Sequence, residues 1–229
     1  MEETRAYEEL RVGFTAAVSH ELRTPLARLL ALLDTAALPD VDRDALLAQA
    51  REQVEEMREL VDDVLFLSEL ESGREVVALG NTPARPVLEE VRDRLADSAE
   101  RADVAVRIEG PTDATVPLRR RMVQIVAENL VANAIRHAGP GSTLTLTVGP
   151  GLLEAADDGR GVEQEELPRL FERFFRSDRA RASRGTGLGL AIVKHVVTAA
   201  GGEVEATGGP GHGLTIRCLF STSAPGRAS

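Results

Sequence analysis

The sequence predicts an α + α/β protein, with an N-terminal helical hairpin followed by an α/β sandwich. Through residues 1–73, apolar side chains recur at three- and four-residue steps, the period of a helix with one buried face. Beyond that point short alternating runs mix with helical runs, and Gly and Pro cluster between them, as in a layered domain of strands and helices. The 229 residues suffice for one to two domains with a real core.

In the first helix Phe14, Val18, Leu22, Leu26, Leu29, Leu30 and Leu33 form the apolar stripe. Ala36 to Val41 interrupts it, with Pro39-Asp40 as the breaker. The stripe resumes through Leu46, Leu47, Val54, Met57, Leu60, Val61, Val64, Leu65 and Leu67, and Gly73 suits a helix end. Two such helices on a short loop make an antiparallel hairpin. Alone it leaves much of its stripe in water, so two copies are expected to pair as a four-helix bundle.

Strands are expected at Glu75–Leu79, Val104–Ile108, Thr143–Val148, Leu152–Ala156, Glu203–Ala206 and Leu214–Phe220. Helices are expected at Val87–Arg101, Arg119–His137 and Leu188–Ala200. The long Arg- and Gly-rich stretch from Asp158 to Gly189 is too extended for a plain connection and reads as a lid. Domain limits follow: 1–73 for the hairpin, 74–222 for the sandwich and 223–229 for a flexible tail.

Composition removes several functions. Net charge is −10, so nucleic acid is not expected as a ligand, because binding it needs clustered Lys and Arg. Aromatics make up 3% and Trp is absent, leaving Leu, Val, Ile and Ala to build the core. Cys218, the single cysteine, sits in an alternating strand-like setting and reads as a buried structural thiol. No apolar run reaches the ~18–20 residues that span a bilayer, so no membrane segment is expected in this chain. The expected location is the cytoplasm, as a soluble protein or as the cytosolic portion of a longer membrane-bound protein.

Ser19-His20-Glu21-Leu22-Arg23-Thr24-Pro25-Leu26 lies mid-helix. At ~100° per residue His20 lies roughly opposite Val18 and Leu22, hence toward solvent, with Thr24 one turn along on the same face. Pro25 removes a backbone donor and should bend the helix just beyond. A solvent-facing imidazole beside the Glu21 carboxylate can surrender one ring proton while the other nitrogen attacks phosphorus. On geometry alone, an ordinary surface histidine beside an ordinary surface glutamate is the favoured reading.

Farther on, Asn129, Asn133, Arg136 and His137 fall on one helix face at i, i+4, i+7 and i+8. Amide oxygens suit Mg²⁺, and Arg136 and His137 can reach phosphate oxygens, although a solvated polar face explains the pattern equally well. Asp157-Asp158-Gly159-Arg160-Gly161 follows a strand. A carboxylate there can accept from an adenine amino group while Gly159 and Gly161 allow close backbone approach, but Asp-Gly is also an ordinary turn. Gly185-Thr186-Gly187-Leu188-Gly189 runs straight into a helix and can aim backbone N–H groups at phosphate. No Walker GxxxxGK[ST] motif is present, and no clear βαβ unit supports a dinucleotide fold.

The octapeptide from Ser19 to Leu26 resembles the H-box of the histidine-kinase dimerisation and phosphotransfer domain. The three later segments resemble, in order, the N, G1 and G2 boxes of the GHKL (Bergerat-type) ATP-binding fold, with Leu170-Phe171-Glu172-Arg173-Phe174-Phe175-Arg176 as the F box. The resemblance reverses the plain reading of the histidine. It implies a sensor histidine kinase core in which His20 takes the γ-phosphate of ATP, with Glu21 as its acid–base partner. Thr24 would position water for dephosphorylating a partner. Asp157 would read adenine, Asn133 would be the main Mg²⁺ ligand with Asn129 nearby, and Arg176 would stabilise the phosphoryl group in transfer. The implied partners are a second copy, making a homodimer, and the aspartate of a response-regulator receiver domain.

Two departures stand out: Asp158 where the family more often has Asn, and Pro117 where an Asp often precedes the N-box helix. GHKL ATPases place a water-activating Glu four residues before the metal-binding Asn. Here Asn129 holds that position, and an amide is no general base. Glu128 is rotated by ~100° and should point elsewhere. The alternatives are a nucleotide-binding regulator and a GHKL-type ATPase without kinase activity.

Overall fold

The computed structural model describes residues 2–72, 80–177 and 185–221, with side chains in the first helix from Thr15 onward. The strand expected at Glu75–Leu79, the helix end at Gly73, the side chain of Phe14, the middle of the expected lid and the tail at 223–229 lie outside the described residues. The chain divides into two compact units, Met1–Phe66 and Leu67–Ser229.

The first unit is built from α1 (Glu2–Ala36) and most of α2 (Arg43–Glu71). Helix α1 continues through Pro25, which is buried. The break between the helices has a local cause. Asp40 takes a left-handed φ of 60°, and Asp42 Oδ1 accepts the Ala45 N–H at 3.0 Å, capping the new helix. Apolar residues split into two lines. Leu60 is buried, and Val18, Leu22, Leu29, Met57 and Val64 are half-buried. Leu26, Leu30, Leu33, Leu47, Val54, Val61 and Leu65 are each at least 43% exposed. So large an apolar strip on one helix pair is the mark of an interaction face.

The second unit is a two-layer sandwich. Its five-stranded sheet contains β2 (Val104–Glu109), β4 (Ser142–Gly149), β5 (Leu152–Asp157), β6 (Glu203–Gly208) and β7 (Leu214–Leu219), in the order β2-β4-β5-β7-β6. Strands β2 and β4 run parallel, and every other neighbouring pair is antiparallel. Alternation does the sorting: Leu144, Leu146 and Val148 of β4, Leu153 and Ala155 of β5, and Ile216 and Cys218 of β7 are buried, while their neighbours are not. Helices α3 (Ala84–Arg94), α5 (Arg120–His137) and α6 (Gly189–Ala199) supply the other layer, burying Val87, Leu88, Val126, Val131, Ile192 and Val196 among others. Cys218 is fully buried, and burial pushes its thiol up to about 12, the structural role expected of it.

Two expectations about elements need correction. The helix read as Val87–Arg101 is two helices, because Leu95 (φ −95°, ψ 5°) leaves helical geometry between α3 and α4 (Ala96–Arg101). A second sheet, in which β1 (Thr82–Pro83) pairs antiparallel with β3 (Thr115–Val116), was not foreseen. Strands of two residues carry no period to read.

Leu153 lies on a strand with partners on both edges and none of its surface exposed. Truncation by Leu153→Ala is expected to cost about 2–5 kcal/mol, read as a lowered urea midpoint. A loss below about 1 kcal/mol would show that this position is not packed as described.

Candidate active site

The first chemical group is on the helix pair. His20 is 74% exposed at its side chain, and its Nδ1 lies 3.6 Å from Glu21 Oε1. That leaves Nε2 directed away from the carboxylate and open to solvent. Thr24 is exposed one turn along the same helix, and the next residue, Pro25, is buried. The sequence expectation of an outward imidazole with a carboxylate beside one nitrogen is met in this geometry.

The second unit contains a cavity of about 380 Å³, within the range of small-molecule sites. Helix α5 provides one wall through Asn129, Asn133, Arg136 and His137, the face that helical spacing predicted. Asn129 Nδ2 donates to Ile125 O at 2.8 Å, which frees Oδ1 as an acceptor. A Cβ at Gly189 would stand 2.6 Å from that Oδ1, so α6 can approach only because it starts with glycine. Glu128 does not line the cavity: its carboxylate pairs with Arg94 and accepts from Gln124 Nε2 at 3.1 Å. The acid nearest in sequence to a hydrolytic base is thereby held elsewhere.

The opposing wall comes from the loop after β5 and the segment leading into α6. Asp157 Oδ1 accepts the Gly159 N–H at 3.0 Å, and burial raises its pKa. The carboxylate is not itself a lining group, but its register partner Leu214 is. Gly161, at φ 65°, has no room for a side chain, since a Cβ there would meet Gly209 O at 1.9 Å. Asp158 turns outward, accepting the Thr143 N–H at 2.6 Å. Its charge therefore serves the start of β4 and stays out of the cavity lining.

Gly185, Thr186, Gly187 and Gly189 line the cavity, whereas Leu188 is fully buried. The Thr186 hydroxyl accepts the Leu188 N–H at 3.2 Å and shapes the turn into α6. Phe174 donates its N–H to Gly187 O at 2.9 Å while holding a left-handed φ of 61°. This bond ties the F-box segment to the glycine loop and brings Phe175 and Arg176 into the lining.

Three guanidiniums, on Arg136, Arg176 and Arg160, surround His137. Burial first, then these charges in that order, lowers its pKa to about 4. His137 therefore enters neutral-pH chemistry as an uncharged donor or acceptor, and the arginines carry the positive charge. Sequence reasoning missed Arg160, Val162, Glu163, Glu166 and Leu214 as lining residues. Leu214 could be found only through strand register, which no local pattern displays.

Among the described residues no group of three or more His, Cys, Asp or Glu side chains could hold a metal. The amides of Asn129 and Asn133 fit Mg²⁺ instead, a hard cation that takes one or two protein oxygens and fills its sphere with phosphate and water. No helix among the described residues is long and apolar enough to cross a membrane.

Comparisons with known proteins agree with the two units. Residues 10–73 match the family described as His Kinase A (phospho-acceptor) domain. Residues 119–224 match histidine kinase-, DNA gyrase B-, and HSP90-like ATPase. The chain is 33% identical over 219 residues to the sensor-like histidine kinase SenX3 of Mycobacterium tuberculosis, covering 91% of this chain and 53% of that protein. It is 35% identical over 227 residues to the phosphate regulon sensor protein PhoR of Pseudomonas aeruginosa, covering 93% of this chain and 51% of that protein. The chain thus spans about half the length of these curated relatives. Among solved structures, the Acinetobacter baumannii histidine kinase AdeS matches with a TM-score of 0.73 and 26% identity, over 90% of this chain and 98% of that one. Histidine kinase ThkA, in complex with response regulator protein TrrA, shares the fold at a TM-score of 0.73 and 20% identity, over 97% of this chain and 65% of that one.

Because His137 is depressed in the folded chain, acid favours the unfolded state, whose histidine protonates first, near 6.5. Stability is expected to fall as pH drops from about 6.5 to about 4, by on the order of 3 kcal/mol, and His137→Gln is expected to flatten that limb. Urea unfolding across this pH range checks it; an unchanged limb in the variant would rule out a buried neutral His137.

Proposed function

Because the chain belongs to the sensor histidine kinases of two-component systems, we propose that it transfers the γ-phosphate of ATP to His20 and then to an aspartate of a response regulator. The observation that carries this reading is the pairing, in one chain, of an exposed imidazole next to a carboxylate with a separate cavity in which Asn129, an amide, stands one turn before Asn133 while Glu128 is held away on Arg94.

In the proposed reaction, Nε2 of His20 attacks the γ-phosphorus and the bond to the β-phosphate oxygen breaks, with ADP leaving. Glu21 takes or shares the Nδ1 proton, spreading the positive charge that develops on the ring. Positioning and charge stabilisation supply most of the acceleration, since phosphoryl transfer asks for little covalent help from the protein. Asp157 and the loop from Gly159 to Gly161 are assigned to adenine. The turn from Gly185 through Thr186, Gly187 and Leu188 to Gly189, with Arg136, is assigned to the phosphates. His137 contributes a neutral hydrogen bond. Arg176 is assigned to the transferring phosphoryl group. Mg²⁺ on Asn133, with Asn129 nearby, would neutralise phosphate charge.

The functional division at 1–73, 74–222 and 223–229 is part of the same proposal. So is a homodimer through the exposed strip of α1 and α2, since a helix pair with this much bare leucine surface gains most by meeting its own copy. The response regulator as next acceptor is supported by the ThkA–TrrA complex of the same fold. With Thr24 exposed one turn from His20, the same helix is assigned an opposing step, positioning water to hydrolyse the regulator's aspartyl phosphate and release inorganic phosphate. The proposed site of action is the cytoplasm, as the cytosolic portion of a longer sensor.

Incubation with γ-labelled ATP and Mg²⁺ is expected to give an acid-labile, base-stable adduct that His20→Ala abolishes. Label persisting in His20→Ala would remove His20 as acceptor. Binding without labelling would favour a silent nucleotide-binding regulator, and hydrolysis independent of His20 would favour a GHKL-type ATPase.

Paired substitutions Leu30→Glu and Leu65→Glu are expected to halve the mass measured by light scattering. An unchanged mass would mean that this strip is not the dimer face.

A further inference from the structure

The Arg160 side chain has no role in the reading above, yet its backbone is pinned on both sides. Its N–H donates to Ala138 O at 3.0 Å, at the end of α5, and its carbonyl accepts the Gly211 N–H at 2.8 Å, from the turn between β6 and β7. The side chain rests on Gly139, whose φ is 100°. A Cβ there would stand 2.9 Å from Arg160 Nη2 and 3.3 Å from Nε, so the guanidinium lies against bare glycine backbone. Arg160 is exposed and lines the cavity, and no carboxylate among the described residues pairs with it. In a chain of net charge −10, a fixed guanidinium without a carboxylate, at the mouth of a cavity, is available to an anionic or oxygen-rich ligand.

Its place along the cavity identifies which part of the ligand it meets. Asn129 and Asn133 sit on earlier turns of α5, and Arg136, on its last turn, extends toward the glycine loop, its Nη1 3.7 Å from a Cβ placed at Gly185. That end holds the phosphate tail. Arg160 comes three residues after Asp157 and lies beside Ala138 and Gly139, just past the last turn of α5. From this arrangement we infer that Arg160 contacts the ribose and α-phosphate of the bound nucleotide, the part common to AMP, ADP and ATP. The inference rests on the ATP reading of the cavity and adds to it a residue that sets affinity without touching the transferred phosphoryl group. Gly139 is the enabling position, because any side chain there would displace the guanidinium.

Calorimetric titration of the full chain with AMP, ADP and ATP tests this. Arg160→Met keeps the stem and removes the donors. It is expected to weaken all three nucleotides by a similar factor of about five to thirty, the worth of a charge-assisted hydrogen bond at a part-exposed site. Arg160→Lys is expected to recover part of the loss, and Arg160→Glu to bind more weakly than Arg160→Met. Equal losses in the Met and Glu variants would mean that the residue acts through loop structure, and the inference would fall. A loss confined to ATP would move the contact to the γ-phosphate and overturn it, as would unchanged binding of all three. Wild-type protein that bound no nucleotide would overturn the ATP reading itself, a different result from wild-type binding that Arg160→Met leaves intact.

Discussion

Backbone lies directly on backbone where the loop after β5 meets the turn between β6 and β7, and the cavity depends on that contact. A Cβ at Gly213 would stand 1.8 Å from Asp157 O, one at Gly161 1.9 Å from Gly209 O, and one at Gly159 2.4 Å from Ala138 O. Hydrogen bonds close the same seam, with Gly213 N–H on Gly159 O at 3.0 Å and Arg160 N–H on Ala138 O at 3.0 Å. The loop is thus clamped between the sheet and the end of α5, and this fixes where Asp157, Gly161 and Arg160 stand relative to the asparagine face. A methyl group at any of these glycines would pry the two walls apart. Gly187 does the same for the other wall, where a Cβ would fall 2.9 Å from the Phe174 backbone.

The chemistry assigned to this frame is divided between units. The cavity presents amides and guanidiniums beside the carboxylates of Glu163 and Glu166, while the imidazole proposed as nucleophile lies on a helix of the other unit. Glu128 pairs with Arg94 outside the cavity, so in the proposed reading no carboxylate takes the position beside Asn133 from which water would be activated. In the proposed reading, such a site would hold ATP until its nucleophile arrives.

Much of this was legible in the sequence, for physical reasons. The asparagine face of α5 follows from a period of 3.6 residues, and the sheet strands follow from alternation that burial of one face enforces. The exposed strip on α1 and α2 follows from having more leucine than one hairpin can bury. What stayed hidden depends on contacts distant in sequence. Leu214 reaches the cavity because it pairs in register with Asp157, and Arg160 is held by Ala138 and Gly211, neither of which its local sequence announces. The break at Leu95 was equally silent, because the residues on either side of it are good helix formers.

Cys218 has a practical consequence. It is the only sulfhydryl in the sequence, fully enclosed between sheet and helices, with its ionisation pushed up to about 12. At neutral pH almost none of it is thiolate, and none of it is accessible, so the folded chain is inert to maleimides and to mild oxidants. A cysteine introduced on the rim of the cavity or beside His20 would become the sole addressable sulfur. Spectroscopic labels could then follow the two units without first stripping the native thiol.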